Sequence, residues 1–211
     1  MTQIVGILNI TPNSFSDGGK YNSTDLAVKR IHELFAQGAD WVDIGAASTT
    51  YNAPLISHED EWKILQPVLT VRAGGGISLD TYHVETARKA IGCGVKLIND
   101  VSFGRDEKML ALIAAHLDVK YILMYSIVIP ADRTKRAKDL GEIETAFEAK
   151  LNRCYQLGIK SSQLILDPGI GFSSDPKLSL EIITHLNRLK KFQLPLMIGH
   201  SRKSFFEAMT S

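Results

Sequence analysis

Residues 77–100 read ISLDTYHVETARKAIGCGVKLIND, and this stretch decides the fold. Two short apolar runs, 77–80 (ISLD) and 96–100 (KLIND), each end in polar residues. Between them Val84, Ala87, Ala90 and Ile91 recur at the spacing that lines one face of a helix. Strand, helix and strand at this distance form a βαβ unit, whose two strands must run parallel.

The same alternation extends in both directions. Strands are predicted at residues 4–9 (IVGILN), 41–45 (WVDIG), 121–125 (YILMY), 163–167 (QLILD) and 194–199 (LPLMIG). A helix beginning at Thr24 carries Ala27, Val28, Ile31, Leu34 and Phe35 on one face and stops at Gly38. Further helices are predicted over about 58–69, 109–116, 142–157 and 178–189, and another from Arg202 onward. The fold class is therefore α/β, with a parallel sheet and seven strands identifiable; a closed (β/α)8 barrel needs eight, so on that reading the eighth βα unit is missing from this chain. Barrels of this class typically have ~250 residues, and this chain has 211. Residues 1–211 are expected to form a single barrel domain, incomplete at its C-terminus.

Composition narrows the function. The chain has 24 Lys+Arg against 23 Asp+Glu, a net charge of +1, which gives no general electrostatic grip on nucleic acid. At 45% hydrophobic and 22% charged it is globular rather than disordered. No apolar run approaches the ~18 residues of a membrane span, and no basic segment precedes an apolar stretch at the start, so no signal peptide is expected. Cys93 and Cys154 lie far apart, each inside a predicted helix. That argues against a disulfide framework or a cysteine zinc site and fits a reducing cytoplasm. The six histidines show no metal-ligand spacing, and Trp41 and Trp62 are read as packing residues. No G-x-G-x-x-G follows the first strand and there is no P-loop, so dinucleotide and nucleotide-phosphate readings lose their main support.

The strand ends carry the chemistry. Asn9, Asp43, Asp80, Asn99, Asp100 and Asp167 all fall at or near carboxyl ends of predicted strands. Active sites sit there in (β/α)8 barrels, and also in doubly wound sheets, so this clue does not choose between them.

Five segments together resemble the dihydropteroate synthase family: residues 6–19 (GILNITPNSFSDGG), 78–81 (SLDT), 98–101 (INDV), 166–172 (LDPGIGF) and 199–205 (GHSRKSF). The resemblance implies a barrel of the TIM (β/α)8 type and a transferase of folate biosynthesis. It joins 6-hydroxymethyl-7,8-dihydropterin pyrophosphate to p-aminobenzoate, with Mg2+ as cofactor, and is the target of sulfonamides. It also implies small-molecule partners only, a cytoplasmic location and a homodimer through the outer helices. Asp80, Asp167 and Lys203 match the family's catalytic and pterin-binding positions. Asn99 matches its pterin-binding asparagine, and Asn9 the asparagine that meets the metal near the pyrophosphate. Phe172, Ser201, Thr49, Met124 and Gly199 match substrate-lining positions. A carboxylate accepting two N–H bonds from a flat ring edge is strong and orientation-specific, and a helix N-terminus such as the one opened by residues 201–203 favours anions.

Each residue alone has a plainer reading. Asp167-Pro168-Gly169 reads as a turn, Asp80 as a helix N-cap, Lys203 as a solvated charge, and Asn9 as a strand-end hydrogen-bonder. Several loops also depart from the family pattern. Its G-x-E-S-T-R-P-G is Gly45-Ala46-Ala47-Ser48-Thr49-Thr50-Tyr51 here, its Met-His is Met124-Tyr125, and its G-F-G-K-T is Gly171-Phe172-Ser173-Ser174-Asp175. His200 replaces a small apolar residue, and the final Arg-x-His has no counterpart. Some of these changes resemble the sulfonamide-insensitive branch. Two alternatives stand beside the synthase reading: a pterin-binding methyltransferase-type domain, and a non-catalytic relic of the synthase.

Overall fold

The computed structural model describes residues 2–10, 23–46, 55–70, 75–132 and 134–199. They fall into two compact units, one running up to Asn99 and one from Asp100 onward.

The first unit alternates strand and helix: β1 (Val5–Asn9), α1 (Ser23–Ala36), β2 (Trp41–Gly45), α2 (His58–Leu69), β3 (Gly76–Asp80), α3 (Val84–Gly92) and β4 (Leu97–Asp100). The four strands pair in parallel and in chain order. Side chains along a strand alternate between faces. Leu8, Val42, Ile44, Leu79 and Ile98 occupy one face and are buried, packing with Ile31, Leu34, Leu65, Val68 and Ala87 from the helices. Each large apolar side chain buried this way contributes ~1.5–3 kcal/mol. The other face carries Asn9, Asp43, Ser78, Asp80 and Asn99.

The second unit holds α4 (Glu107–Ala115), β5 (Lys120–Met124), α5 (Leu140–Gln156), β6 (Leu164–Asp167) and α6 (Pro176–Thr184). β5 and β6 pair in parallel. Its core gathers Leu110, Ile113, Leu123, Ile143, Phe147, Leu166 and Ile182, with Phe103 edge-on to Phe147 at 5.5 Å. The helix starts follow capping chemistry. Ser57, Asp106, Asp139 and Asp175 each accept a hydrogen bond from the first turn of α2, α4, α5 and α6, and Pro176 opens α6.

Three sequence expectations need correction. Residues 194–199 form no strand; among the described residues they make a single bridge, Leu166 to Leu196. Pro195 brings no N–H, and only its carbonyl, accepting from Leu166 N, and Met197 N, donating to Leu166 O, join the ladder. The helix expected over 178–189 ends at Thr184 and gives way to a 3-10 segment, Leu186–Phe192. Thr184 Oγ1 turns back onto the carbonyls of Leu180 and Glu181 at the point where His185 leaves helical geometry. Cys93 is not inside a helix but is the exposed residue just past α3, whereas Cys154 is buried in α5. The helix expected from Arg202 lies outside the described residues. Among those described, no helix is long and apolar enough to cross a membrane.

Gln163 ties the second unit together before β6. Its buried Nε2 donates to the carbonyls of Ile113, His116 and Val119 at 3.0–3.1 Å, and its Oε1 accepts from Lys160 N at 3.0 Å. Replacing it by Ala strands several backbone groups in the interior. Gln163→Ala is expected to lower stability by ~2–4 kcal/mol in urea titrations.

Candidate active site

Strand register assembles the first unit's polar face. Asn9 pairs with Gly45, Gly45 with Asp80, and Asp80 with Asn99, so four adjacent strands place these residues on one level. Gly45 is the gap in that row. A Cβ there would stand 3.4 Å from Asn9 Oδ1, 3.3 Å from Asp80 Cβ and 3.4 Å from Asp80 Oδ2. The amide oxygen of Asn9 and a carboxylate oxygen of Asp80 therefore lean over the same bare backbone. Asn9 is exposed, Asp80 half-buried and Asn99 buried, so the row runs from solvent inward.

One level below lie Ile7, Asp43, Ser78 and Leu97. Asp43 was noted in the sequence as a strand-end carboxylate but not assigned to the site. The structure brings it there, since Asn99 Nδ2 donates to Asp43 Oδ2 at 2.9 Å. Asp43 and Asn99 are each only 6% exposed. Burial pushes the Asp43 carboxyl above its ordinary pKa, against hydrogen bonding from Ser78 and Asn99. The signal was the alternation itself: Asp43 and Asp100 both sit near strand ends, but one residue of parity sends them to opposite faces. Asp100, where the second unit begins, is buried within that unit, where Tyr121 Oη donates to it, as do the amides of Ser102 at 2.7 Å and Gly104 at 3.2 Å.

Glu61 is a second residue missed in the sequence. It projects from α2 into the interior, where Thr81 Oγ1 donates to its carboxylate at 2.8 Å, and Thr81 Oγ1 in turn accepts from His83 N at 3.1 Å. The backbone after Asp80 is thereby fixed, and His83 becomes the α3 N-cap with no side-chain bond. Asp80 does not cap that helix, so its plainer reading falls away.

In the second unit Met124 pairs with Asp167 across β5 and β6. Asp167 Oδ1 accepts from Gly169 N at 2.8 Å, so the turn reading of this residue also holds. A Cβ on Gly199 would stand 3.7 Å from Asp167 Oδ2, placing that backbone against the carboxylate. Gly169 has φ +69°, and a Cβ there would stand 2.0 Å from the Tyr125 carbonyl oxygen, so glycine is required. Phe172 N donates to Gly169 O at 3.0 Å, closing the turn that carries this half-buried ring. The departures from the family pattern serve the same loop: Ser173 Oγ accepts from Ile127 N at 2.9 Å and Ser174 Oγ from Gly171 N at 2.9 Å. Tyr125, at the family's histidine position, has its phenol pushed up to about 12, by burial first and by Glu142 second. Lys203, Ser201 and Thr49 lie outside the described residues.

The first unit's strand-end row has the chemistry of a site for a polar heterocycle: carboxylate and amide acceptors running from solvent inward, with Gly45 holding space open. The chain belongs to the family described as pterin binding enzyme, which it matches over residues 5–211. Several of its relatives in that family are named dihydropteroate synthase. It is 37% identical over 206 residues to the dihydropteroate synthase of Clostridium beijerinckii, covering 96% of this chain and 75% of the relative. Solved structures agree. The Xanthomonas albilineans dihydropteroate synthase with 4-aminobenzoic acid superposes with a TM-score of 0.91 at 30% identity, covering 99% of this chain and 76% of that one. The Anaplasma phagocytophilum enzyme with bound 6-hydroxymethylpterin-monophosphate gives 0.89 at 32% identity, covering 100% and 82%. The α/β fold of the TIM-barrel type read from the sequence is the fold shown by this likeness.

Burial raises the Glu61 carboxyl above its ordinary value of 4.5, outweighing the lowering by Thr86 and Thr81. A carboxyl whose pKa is raised by folding stabilises fully below its unfolded pKa and loses that contribution as pH rises through the folded pKa. Glu61→Gln keeps an acceptor for Thr81 and removes the titration. Thermal melts at pH 4 and pH 7.5 are expected to favour the variant more at pH 7.5 than at pH 4.

Proposed function

We propose that this chain condenses 6-hydroxymethyl-7,8-dihydropterin pyrophosphate with p-aminobenzoate, giving 7,8-dihydropteroate and pyrophosphate. The observation that carries the reading is the level row across four neighbouring strands, Asn9, Asp80 and Asn99 with Gly45 holding the gap. Asp80 and Asn99 take the ring's N–H groups, which fixes the pterin's face and orientation, and Asp167 is assigned to the pterin on the family motif. The carbon–oxygen bond to pyrophosphate breaks with its electron pair leaving on oxygen. The amine nitrogen of p-aminobenzoate then forms the new bond to that carbon and gives up a proton. This path needs positioning and charge stabilisation more than a strong base. Phe172 borders the second substrate, and Met124 and Gly199 line the pterin side beside Asp167. Lys203, Ser201 and Thr49 are assigned on the family motif alone, Lys203 to reach the pterin and the p-aminobenzoate site.

The donor set fits Mg2+ held largely by substrate. Asn9 offers an exposed amide oxygen beside Asp80, and Mg2+ commonly takes one or two protein oxygens with phosphate and water supplying the rest. When bound, the ion supplies neutralisation of the leaving pyrophosphate's charge. The free thiols of Cys93 and Cys154 and the family likeness support a cytoplasmic location, and the likeness alone supports a homodimer.

Isothermal titration with the pterin pyrophosphate and Mg2+, followed by p-aminobenzoate, tests the reading. Pterin binding followed by a second heat and pyrophosphate release is expected. Asp80→Asn and Asp167→Asn are each expected to weaken pterin binding by roughly 10- to 100-fold, the loss that goes with a charge-assisted hydrogen bond. A folded chain that gives no heat with the pterin overturns it.

A further inference from the structure

We propose that Asp43 is a positioning residue for the pterin: it fixes the Asn99 side-chain amide so that the carbonyl oxygen, and not the NH2 group, is kept for the ligand. The proposal rests on the pterin-binding reading of this site.

An asparagine amide has two ends of opposite hydrogen-bonding character, and its orientation follows from its partners. Here Nδ2 is committed to Asp43 Oδ2 at 2.9 Å. A carboxylate only accepts, so this contact admits one orientation of the amide. The opposite end, Asn99 Oδ1, is buried and has no donor among the described residues. A buried acceptor without a donor costs ~1–3 kcal/mol, which makes it an unmet demand. This unmet acceptor lies in the row of Asn9, Asp80 and Asn99, while Val42, Ile44, Leu79 and Ile98 on the opposite face of the same strands are buried. A ring N–H from the ligand answers the Asn99 oxygen and lies on the same level as Asp80. Without Asp43 the amide is free to turn its NH2 outward, presenting a donor to a donor.

The test is a double-mutant cycle on the pterin pyrophosphate Kd, using wild type, Asp43→Ala, Asn99→Ala and the double variant. Because Asp43 acts through Asn99, each single change is expected to weaken binding about tenfold or more, and the double variant to bind no more weakly than Asn99→Ala. The KM for p-aminobenzoate is expected to stay within about twofold of wild type in Asp43→Ala. Additive losses in the cycle, or an Asp43→Ala that lowers the melting temperature with an unchanged pterin Kd, overturn the proposal. If Asp43→Ala does not fold, Asp43→Asn, which keeps the volume and lets the amide pair run either way round, takes its place in the cycle with the same non-additive pattern expected. A wild-type chain that fails to bind the pterin defeats the functional reading itself; a wild type that binds with an additive cycle defeats only the role of Asp43.

Discussion

The parallel register of β1 to β4 is the constraint on which the site depends. Parallel pairing locks Asn9, Gly45, Asp80 and Asn99 to one level, and the two-residue repeat of a strand sends their neighbours Leu8, Ile44, Leu79 and Ile98 to the opposite, packed face. A slip of one residue in any strand would bury a carboxylate or amide among the helices and turn an Ile or Leu toward the polar side. The hydrophobic core therefore specifies the site: the apolar face fixes the register, and the register aligns the polar groups.

The polar interior is held by specific partners. Asp100, turned to the other face, is saturated by Tyr121, Ser102 and Gly104 and shapes the loop after β4. Glu61 accepts from Thr81 and holds the chain just beyond Asp80. Asn99 is different, because its Nδ2 donates to Asp43 while its buried Oδ1 has no donor among the described residues. Buried carboxylates that serve only the fold are completed by the chain; the incomplete group is at the polar strand ends. That contrast separates structural from ligand-directed polar groups within one small protein.

Much of this was legible in the sequence. Periodicity located β2 and α2 at their observed bounds and placed the other five observed strands' counterparts within a residue of their ends. The motif residues Asn9, Asp80, Asn99, Met124 and Asp167 all came to strand ends. The roles of Asp43 and Glu61 were hidden because they are set by side-chain direction and by a partner twenty residues away, which spacing alone does not show. The break at Thr184 was masked by apolar residues that keep helical spacing through Leu189, while the geometry changes at His185. Ser173 and Ser174 look like lost family residues in the sequence, yet their hydroxyls tie the loop that carries Phe172.

The central claim is that strand register turns Asp80 and Asn99 toward one ligand. A crystal structure of the chain with 6-hydroxymethyl-7,8-dihydropterin pyrophosphate tests it most directly. The account predicts a pterin edge within hydrogen-bond distance of both the Asp80 carboxylate and Asn99 Oδ1, with Asn99 Nδ2 still on Asp43. A pterin bound elsewhere, or bound with the Asn99 amide turned to offer its NH2 group, would contradict it.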